Sequence, residues 1–381
     1  MKMSNPGLLV LTGGDDVAVA RGDIAKGQQL FADGLSVTAL ADIPAGHKIA
    51  LRAVAQGQLV RKYGQSIGQA SAALHPGDHV HVHNLQMPQT SSNHTLANVY
   101  QPTVQDGGGA RFAGYVRADG RVGTRNYIGV ISSVNCSATV CKQIAAAFDA
   151  GYLRDYPNVD GVVAITHDSG CGMGAKGEGI EILKRTLRGY ADHVNFAGVL
   201  VIGLGCEVNQ LAPLMEQLAE RNAVLKAGLV IQDAGGTRET VQRGKELVNA
   251  MLDQVNSQQR SSVSASHLTV GLQCGGSDGY SGITANPALG AAVDLLVRHG
   301  GTAILSETPE IYGAEHLLTA RAASAQIADK LMGRIHWWEA YVRQHDGDMN
   351  NNHSPGNKAG GITTILEKSL GAVAKAGSTG L

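Results

Sequence analysis

From about residue 114 onward, continuous apolar runs alternate with stretches whose apolar positions recur at helical spacing. The runs are Tyr127 to Val134, Gly161 to Thr166, Val199 to Leu204, Gly228 to Ile231, Leu268 to Leu272 and Thr302 to Leu305. Between them lie sets such as Val140/Ile144/Phe148, Ile182/Leu183/Leu187 and Leu211/Leu214/Met215/Leu218. Strands that are apolar throughout, separated by helices, predict a parallel sheet covered on both faces. The pattern predicts further helices over Ala288 to His299, opened by Asn286-Pro287 and stopped at Gly300-Gly301, then over Ser324 to Gln344 and Ile362 to Ala376. On the long helix, Ile327, Leu331, Ile335, Trp338 and Val342 form one stripe.

Up to about Leu85 the runs are short and broken by Gly and Pro, which predicts a small β-rich domain. Its last run alternates, placing His79, His81 and His83 on one face and Val80 and Val82 on the other. Such histidines could chelate a metal or bind a polyol, or be a solvated face over a valine core. The stretch Gln86 to Gly109 is polar and non-periodic, and reads as linker. The expected domains are 1–85, a linker over 86–113, and an α/β domain over 114–381, with no internal repeat beyond the α/β alternation.

Four of the five cysteines fall just past the end of an expected strand: Cys136, Cys171, Cys206 and Cys274. Ligands of open α/β sheets bind outside the carboxyl ends of the strands, so the four thiols are expected to share one rim. Cys136 would also lie near a helix N-terminus, where the dipole favours thiolate. Each could instead pack as a small hydrophobe, as Cys141 within the following helix is expected to do. His167, Asp168, Glu207, Ser277, Asp278 and Glu307 follow other strands toward the same rim. Imidazole, thiolate and carboxylate together could hold a transition metal or supply a general acid and base. The Gly-rich stretch Ser354 to Gly361, with Lys358, precedes a helix and reads as an anion site or as a flexible surface loop.

Composition narrows the class. Charged residues are 17% and Gly is high at 50, which suits a compact enzyme with many tight loops. Net charge is -1 without a basic block, so nucleic acid and anionic membrane are poor partners. No apolar run approaches a membrane span, and a cytoplasmic protein is expected. An odd cysteine count argues for free thiols rather than a disulfide framework. Gly172 to Gly177 fits G-x-G-x-x-G, but no acidic residue ends the next strand at dinucleotide spacing, and no P-loop is present.

The motifs GYVRADGRVGTRN, SGCGM, VIGLGCE, QCGGSDGYSGITANPALG, SETPEIYGAEHLL and SPGNKAGGITT together resemble the altronate/galactarate dehydratase family. PAGHKIAL, KYGQSIG and GDHVHVHN resemble the SAF domain that these enzymes carry at the N-terminus. The resemblance implies a Rossmann-like catalytic domain behind a SAF domain, and a hydro-lyase that turns a sugar acid into a 2-keto-3-deoxy acid. GDHVHVHN, YGAEHLL and NKAGGITT are closer to the altronate branch, which implies D-altronate as substrate in hexuronate catabolism. Galactarate dehydratase and sulfolactate sulfo-lyase are the alternatives within the family. Family members continue into a further C-terminal segment with a TGRG-type loop, so the catalytic domain is expected to be truncated, and a sugar-acid-binding protein without activity is the alternative of another class.

Iron(II) is the ion that the resemblance implies, with manganese(II) second. Three converging thiolates could alternatively hold an iron–sulfur cluster with one open iron. The expected metal ligands are Cys136, Cys171, Cys206 and Cys274. His167, Cys171, Glu207 and Asp278 are the expected catalytic groups. Arg125, Asn126, Ser277, Asn286, Glu307 and Lys358 are expected to bind substrate, with His47, Lys48 and His83 of the SAF domain closing over it. A homodimer is the expected assembly.

Overall fold

A computed structural model describes residues 7–88, 98–106, 109–219 and 225–381. The chain divides into two compact units, one made of Met1–Gly109 with Leu268–Leu381, the other of Ala110–His267. The stretch expected as one catalytic domain is therefore shared: residues 114–267 fold in the second unit and residues 268–381 in the first.

The second unit is the α/β layer structure that the sequence pattern predicts. Its four-stranded sheet runs in the order Gly161–Ile165, Tyr127–Ser132, Phe196–Gly203, Leu225–Val230, parallel throughout. All eight residues of Phe196–Gly203 are buried, as a strand covered on both faces requires. One face packs Ile128, Val130 and Leu200 against the helices Ala138–Ala146 and Thr237–Asn256. The other packs Ile131, Val199 and Val201 against Glu178–Ala191 and Leu211–Ala219. Each fully buried aliphatic side chain contributes about 1.5–3 kcal/mol, so this double-sided core fixes the sheet. A short antiparallel sheet adds Arg111–Val116 between Val122–Gly123 and Ser261–Ser264. The linker expected to reach residue 113 thus gives way to a strand at Arg111. Residues 89–97 and 107–108 of that linker lie outside the described residues.

The first unit corrects three expectations. Thr269–Leu272 and Thr302–Leu305 are strands and parallel, but they pair only with each other, in a sheet of their own. A β–α–β pattern announces parallel pairing but not which sheet the pair joins. The helix expected from Ala288 begins at Ala285, with Thr284 as N-cap, and ends at Arg298. A proline needs no N–H partner anywhere in the first turn, so Pro287 does not fix the first helical residue. Gly300 then takes the left-handed φ of +84° expected of it. Third, the β-rich region does contain a repeat. The hairpin Gln29–Ala32/Leu35–Thr38 turns through Asp33-Gly34, and Leu59–Lys62/Gln65–Ala70 turns through Tyr63-Gly64, all four turn residues with positive φ. Gly27 N–H donates to Ala39 and Ala39 N–H to Gln28; Gly57 donates to Ala70 and Ala70 to Gln58. Ala25 and Ala55 each donate to the side chain of a glutamine three residues on, Gln28 and Gln58. The two copies share Ala-x-Gly-Gln (Ala25 to Gln28 and Ala55 to Gln58) and the glycine of the turn, a match too short to stand out along the chain.

Ser324 caps the helix Ala325–Gln344 and Thr364 caps Ile365–Val373. Glu367, in the first turn of the latter, is buried between two equally buried lysines. Lys48 Nζ and Lys62 Nζ each lie 2.8 Å from one of its oxygens. Among the described residues no helix is long and apolar enough to cross a membrane.

Candidate active site and metal centre

In the second unit the strand order places a topological switch beside Tyr127–Ser132, because the chain crosses from Gly161–Ile165 on one side to Phe196–Gly203 on the other. Three loops leave the carboxyl edge there and are tied together. Asn135 N–H donates to Ser169 O at 2.9 Å, and Ser133 Oγ donates to Glu207 Oε1 at 2.7 Å. These loops carry Cys136, Cys171 and Cys206, all exposed. Cys136 Sγ donates to Oδ1 of its neighbour Asn135 at 3.5 Å, and Cys171 and Cys206 lie on the adjoining loops. Desolvation together with these two thiols raises the Cys136 pKa, the reverse of the expected helix-dipole effect. Cys141 is core, its thiol pushed up to about 12 by burial.

Glu207 is 6% exposed and closes its own loop: Oε1 also accepts from Leu204 N–H and Oε2 from Gly205 N–H. Burial alone would raise its carboxyl, but the Ser133, Gly205 and Leu204 donors carry it below the usual carboxylate range. It positions the Cys206 loop. His167 has both ring nitrogens engaged by backbone, Nδ1 accepting from Ser169 N–H and Nε2 donating to Ser132 O. It lines a groove of about 470 Å³ with Ile165, Leu183 and Leu187.

Two expected substrate ligands sit at the opposite end of this unit from the three thiols. Arg125 and Asn126 precede the strand Tyr127–Ser132, whose six residues span roughly 20 Å. Asn126 is wholly buried, donating to Asn158 O and Val255 O and accepting from Arg117 Nη1. Arg117 also donates to Val194 O and Arg125 O. The GYVRADGRVGTRN motif therefore pins the amino end of the sheet, and Asn126 has no atom left for a ligand.

Cys274 belongs to the first unit, and its neighbours there are carboxylates rather than thiols. Cys274 Sγ and one oxygen each of Glu307 and Glu310 lie within 4.8 Å of one another. Among the described residues this is the one group of three such ligand atoms so close together. Ser277 Oγ is 3.4 Å from the Cys274 sulfur, and Cys274 N–H donates to Glu307 Oε2 at 3.4 Å. Glu310 is 3% exposed, with Oε2 2.7 Å from Lys375 Nζ, while Oε1 accepts no hydrogen bond and lies 3.6 Å from Lys368 Nζ. Burial would raise the Glu310 carboxyl, yet Lys375, the Cys274 thiol and Lys368 hold it below the usual range. An under-partnered buried carboxylate oxygen beside a thiol and a second carboxylate fits a divalent ion. One sulfur and two oxygens suit borderline iron(II) and accommodate manganese(II). Glu307 borders two cavities of about 340 and 350 Å³, one with Leu272 and Arg321, the other with Asp348 and Asn352.

The loop after Cys274 is locked to the Ser354–Gly361 stretch. Asn357 Nδ2 donates to Ser277 O at 2.8 Å and Gly279 N–H to Gly360 O at 2.7 Å. Asp278 Oδ1 accepts from Tyr280 N–H, Ser281 N–H and Ser281 Oγ. Asn286 is directed instead to Gly371 O, at 3.0 Å. Just ahead of the last helix, Glu367 accepts from Thr363 N–H and Oγ1. Lys358 lies within a short helix, Pro355–Ala359, closed by a Ser354/Asn357 capping box. Its ammonium has no ion-pair partner among the described residues.

Of the expected SAF ligands, Lys48 is fully buried against Glu367 and unavailable to substrate. His47 is 5% exposed, with Nδ1 3.0 Å from His79 Nε2 and Nε2 donating to Ala359 O. His81 Nε2 donates to Lys358 O. His83 is exposed and lies beside His79, with ring centroids 5.4 Å apart and the rings tilted by 53°. The expected alternation stops after Val80, because Asn84 closes a turn on His81 and leaves Val82 half-exposed.

The sequence of each segment matches a known family in turn. Residues 6–88 match the altronate/galactarate dehydratase SAF domain, residues 114–256 the second domain of D-galactarate dehydratase/altronate hydrolase, and residues 265–381 the D-galactarate/altronate dehydratase C-terminal domain. Altronate dehydratase of Bacillus subtilis (strain 168) is 37% identical over 369 residues, 95% of this chain and 72% of that protein. The chain belongs to the altronate/galactarate dehydratase family. Galactarate dehydratase (L-threo-forming) of Escherichia coli (strain K12) is 38% identical over 377 residues, 96% of the chain and 72% of that protein. The (2R)-sulfolactate sulfo-lyase subunit beta of Chromohalobacter salexigens is 30% identical over 271 residues, 71% of the chain and 65% of that subunit. Membership of the altronate/galactarate dehydratase family places the chain among the hydro-lyases.

Sequence reasoning passed over Glu310. The signal was present: Glu307 and Glu310 are three apart, a spacing that brings side chains together on one helical turn, and Thr308–Ile311 is such a turn.

Proposed function

We propose that the chain dehydrates a sugar acid of the altronate type, taking D-altronate to 2-keto-3-deoxygluconate in hexuronate breakdown. Its family membership and the Cys274–Glu307–Glu310 group, inside the segment matching the family's C-terminal domain, support this reading. Cys274, Glu307 and Glu310 would hold iron(II), or manganese(II) in its place. Bound there, the ion would supply Lewis-acid stabilisation of the charge that builds on the substrate carboxylate when C2 loses its proton.

The chain's own groups do the rest. Lys375 and Lys368 keep the buried Glu310 ionised, so it is a ligand at neutral pH. Asp278 is the base: its Oδ1 already takes three donors, which leaves Oδ2 to take the C2 proton and return it to the C3 hydroxyl, which departs as water while the C2–C3 enol forms and then ketonises. Lys358, on the loop stapled to Ser277 and Gly279, is the cation that orients the substrate. Ser277 holds the Cys274 sulfur in place.

Incubating the iron-loaded protein with a panel of hexonates and hexarates tests the reading. A 2-keto-3-deoxy product from altronate, and none from galactarate, is expected. Thermal stabilisation by sugar acids without any product from the panel would replace it with a binding function.

A further inference from the structure

The dehydration chemistry leaves the three thiols of the second unit without a role. We propose that Cys136, Cys171 and Cys206 form a thiol-only binding site for a thiophilic divalent ion of the zinc or cobalt kind, with one coordination position open to solvent. The site is built rather than incidental. Its loops leave three adjacent parallel strands at the topological switch and are tied by the Asn135–Ser169 and Ser133–Glu207 hydrogen bonds. Ser137 Oγ adds a third tie, donating to Ile202 O at 2.7 Å.

Glycine makes room at the sulfurs. Gly170 and Gly172, either side of Cys171, have φ of +98° and +70°, and Gly205 before Cys206 has +126°. A Cβ on Gly172 would meet nothing within 4 Å, so space is open beside the Cys171 thiol. All three cysteines are exposed, whereas structural thiols are ordinarily buried.

Sulfur-only donor sets select thiophilic ions over magnesium or calcium, and three protein ligands with a fourth position free is the pattern of reactive rather than structural zinc sites. The three sulfurs are spread more widely than the 4.8 Å that encloses the Cys274 group. The thiols are exposed, so their χ1 rotamers are free to change on binding. Such an ion displaces the thiol protons, so protons are released on binding.

Cobalt(II) titration of the full chain under anaerobic, reducing conditions is the test. A near-ultraviolet thiolate-to-cobalt charge-transfer band is expected, displaced by zinc(II). It should be lost in Cys136→Ser, Cys171→Ser and Cys206→Ser and kept in Cys274→Ser. In the unsubstituted protein, zinc(II) should protect these three of the five cysteines from alkylation, as mapped by mass spectrometry, which needs no variant to fold. A band that survives all three substitutions, or alkylation of the three unaffected by zinc(II), overturns the proposal. Neither result bears on whether the chain dehydrates a sugar acid.

Discussion

Replacing Glu367 by Gln removes the one negative charge between two buried ammonium groups. The carboxylate accepts from Lys48 Nζ, Lys62 Nζ, Thr363 N–H and Thr363 Oγ1 at 2.7–2.9 Å, and all three charged side chains are at most 2% exposed. Burial already drives Lys48 down to about 8 against the pull of Glu367. Lys62 stays above its usual value, because Glu367 and Tyr63 outweigh burial. In the variant each lysine must stay charged and unpaired or give up its proton. Neutralising one lysine at pH 7 costs about 3.5 units at 1.36 kcal/mol each, or ~5 kcal/mol, which caps the loss per lysine. The glutamine oxygen still accepts one bond, so about 3–5 kcal/mol is expected, the range found when a buried pair loses one partner.

Both tryptophans, Trp337 and Trp338, lie in the helix Ala325–Gln344, so their fluorescence follows the unit that holds Glu367. In urea the midpoint should fall by roughly 1–2 M, while Glu239→Gln, which breaks an exposed helical pair with Arg243, should leave it nearly unchanged. Alkali gives a second check. Between about pH 8 and 10.5 the unfolded chain holds the Lys48 proton more firmly than the folded one, so the Lys48 contribution to stability rises with pH there. The variant should recover part of its loss across that window. A midpoint shift no larger than that of the control would refute the buried-ion account.

Acidification should weaken the same unit through its histidines. Burial, with nearby positive charge, lowers His79 and His81 to about 4 from 6.5, so from pH 6.5 to 4 the unfolded chain binds more protons and stability falls as pH drops. The slope of tryptophan-monitored stability against pH should flatten when both are replaced by Asn, and an unchanged slope would count against it. Glu207→Gln should cost about 1–3 kcal/mol by unpairing donors of Ser133, Leu204 and Gly205, and should speed alkylation of Cys206. Unchanged reactivity of Cys206 would show that the carboxylate does not hold that loop.

What the sequence disclosed follows from what local pattern can encode. The central strands of the second unit were legible because they are buried on both faces, and the edge strands because their residues are mostly apolar; the thiols stood out because they follow strand ends. The separate sheet of Thr269–Leu272 and Thr302–Leu305 was not, since sheet membership is a tertiary choice. Lys48 and Asn126 looked like ligands because polar residues in distinctive motifs invite that reading. Their partners, Glu367 for one and Val255 for the other, lie 319 and 129 residues away. Glu310 was overlooked because a glutamate on a short turn gives no sign of burial until Lys375 and Lys368 arrive to neutralise it.

The distance along the chain between Lys48 and Glu367 also bears on synthesis. Domains generally fold in the order they leave the ribosome, and Ala110–His267, being continuous, can close as soon as it emerges. The β-rich segment made before it cannot finish, because its two ammonium groups wait for a carboxylate translated some three hundred codons later. A nascent chain halted before residue 367 should therefore carry a protease-sensitive head ahead of a resistant middle, with the earliest part of the polypeptide the last to mature.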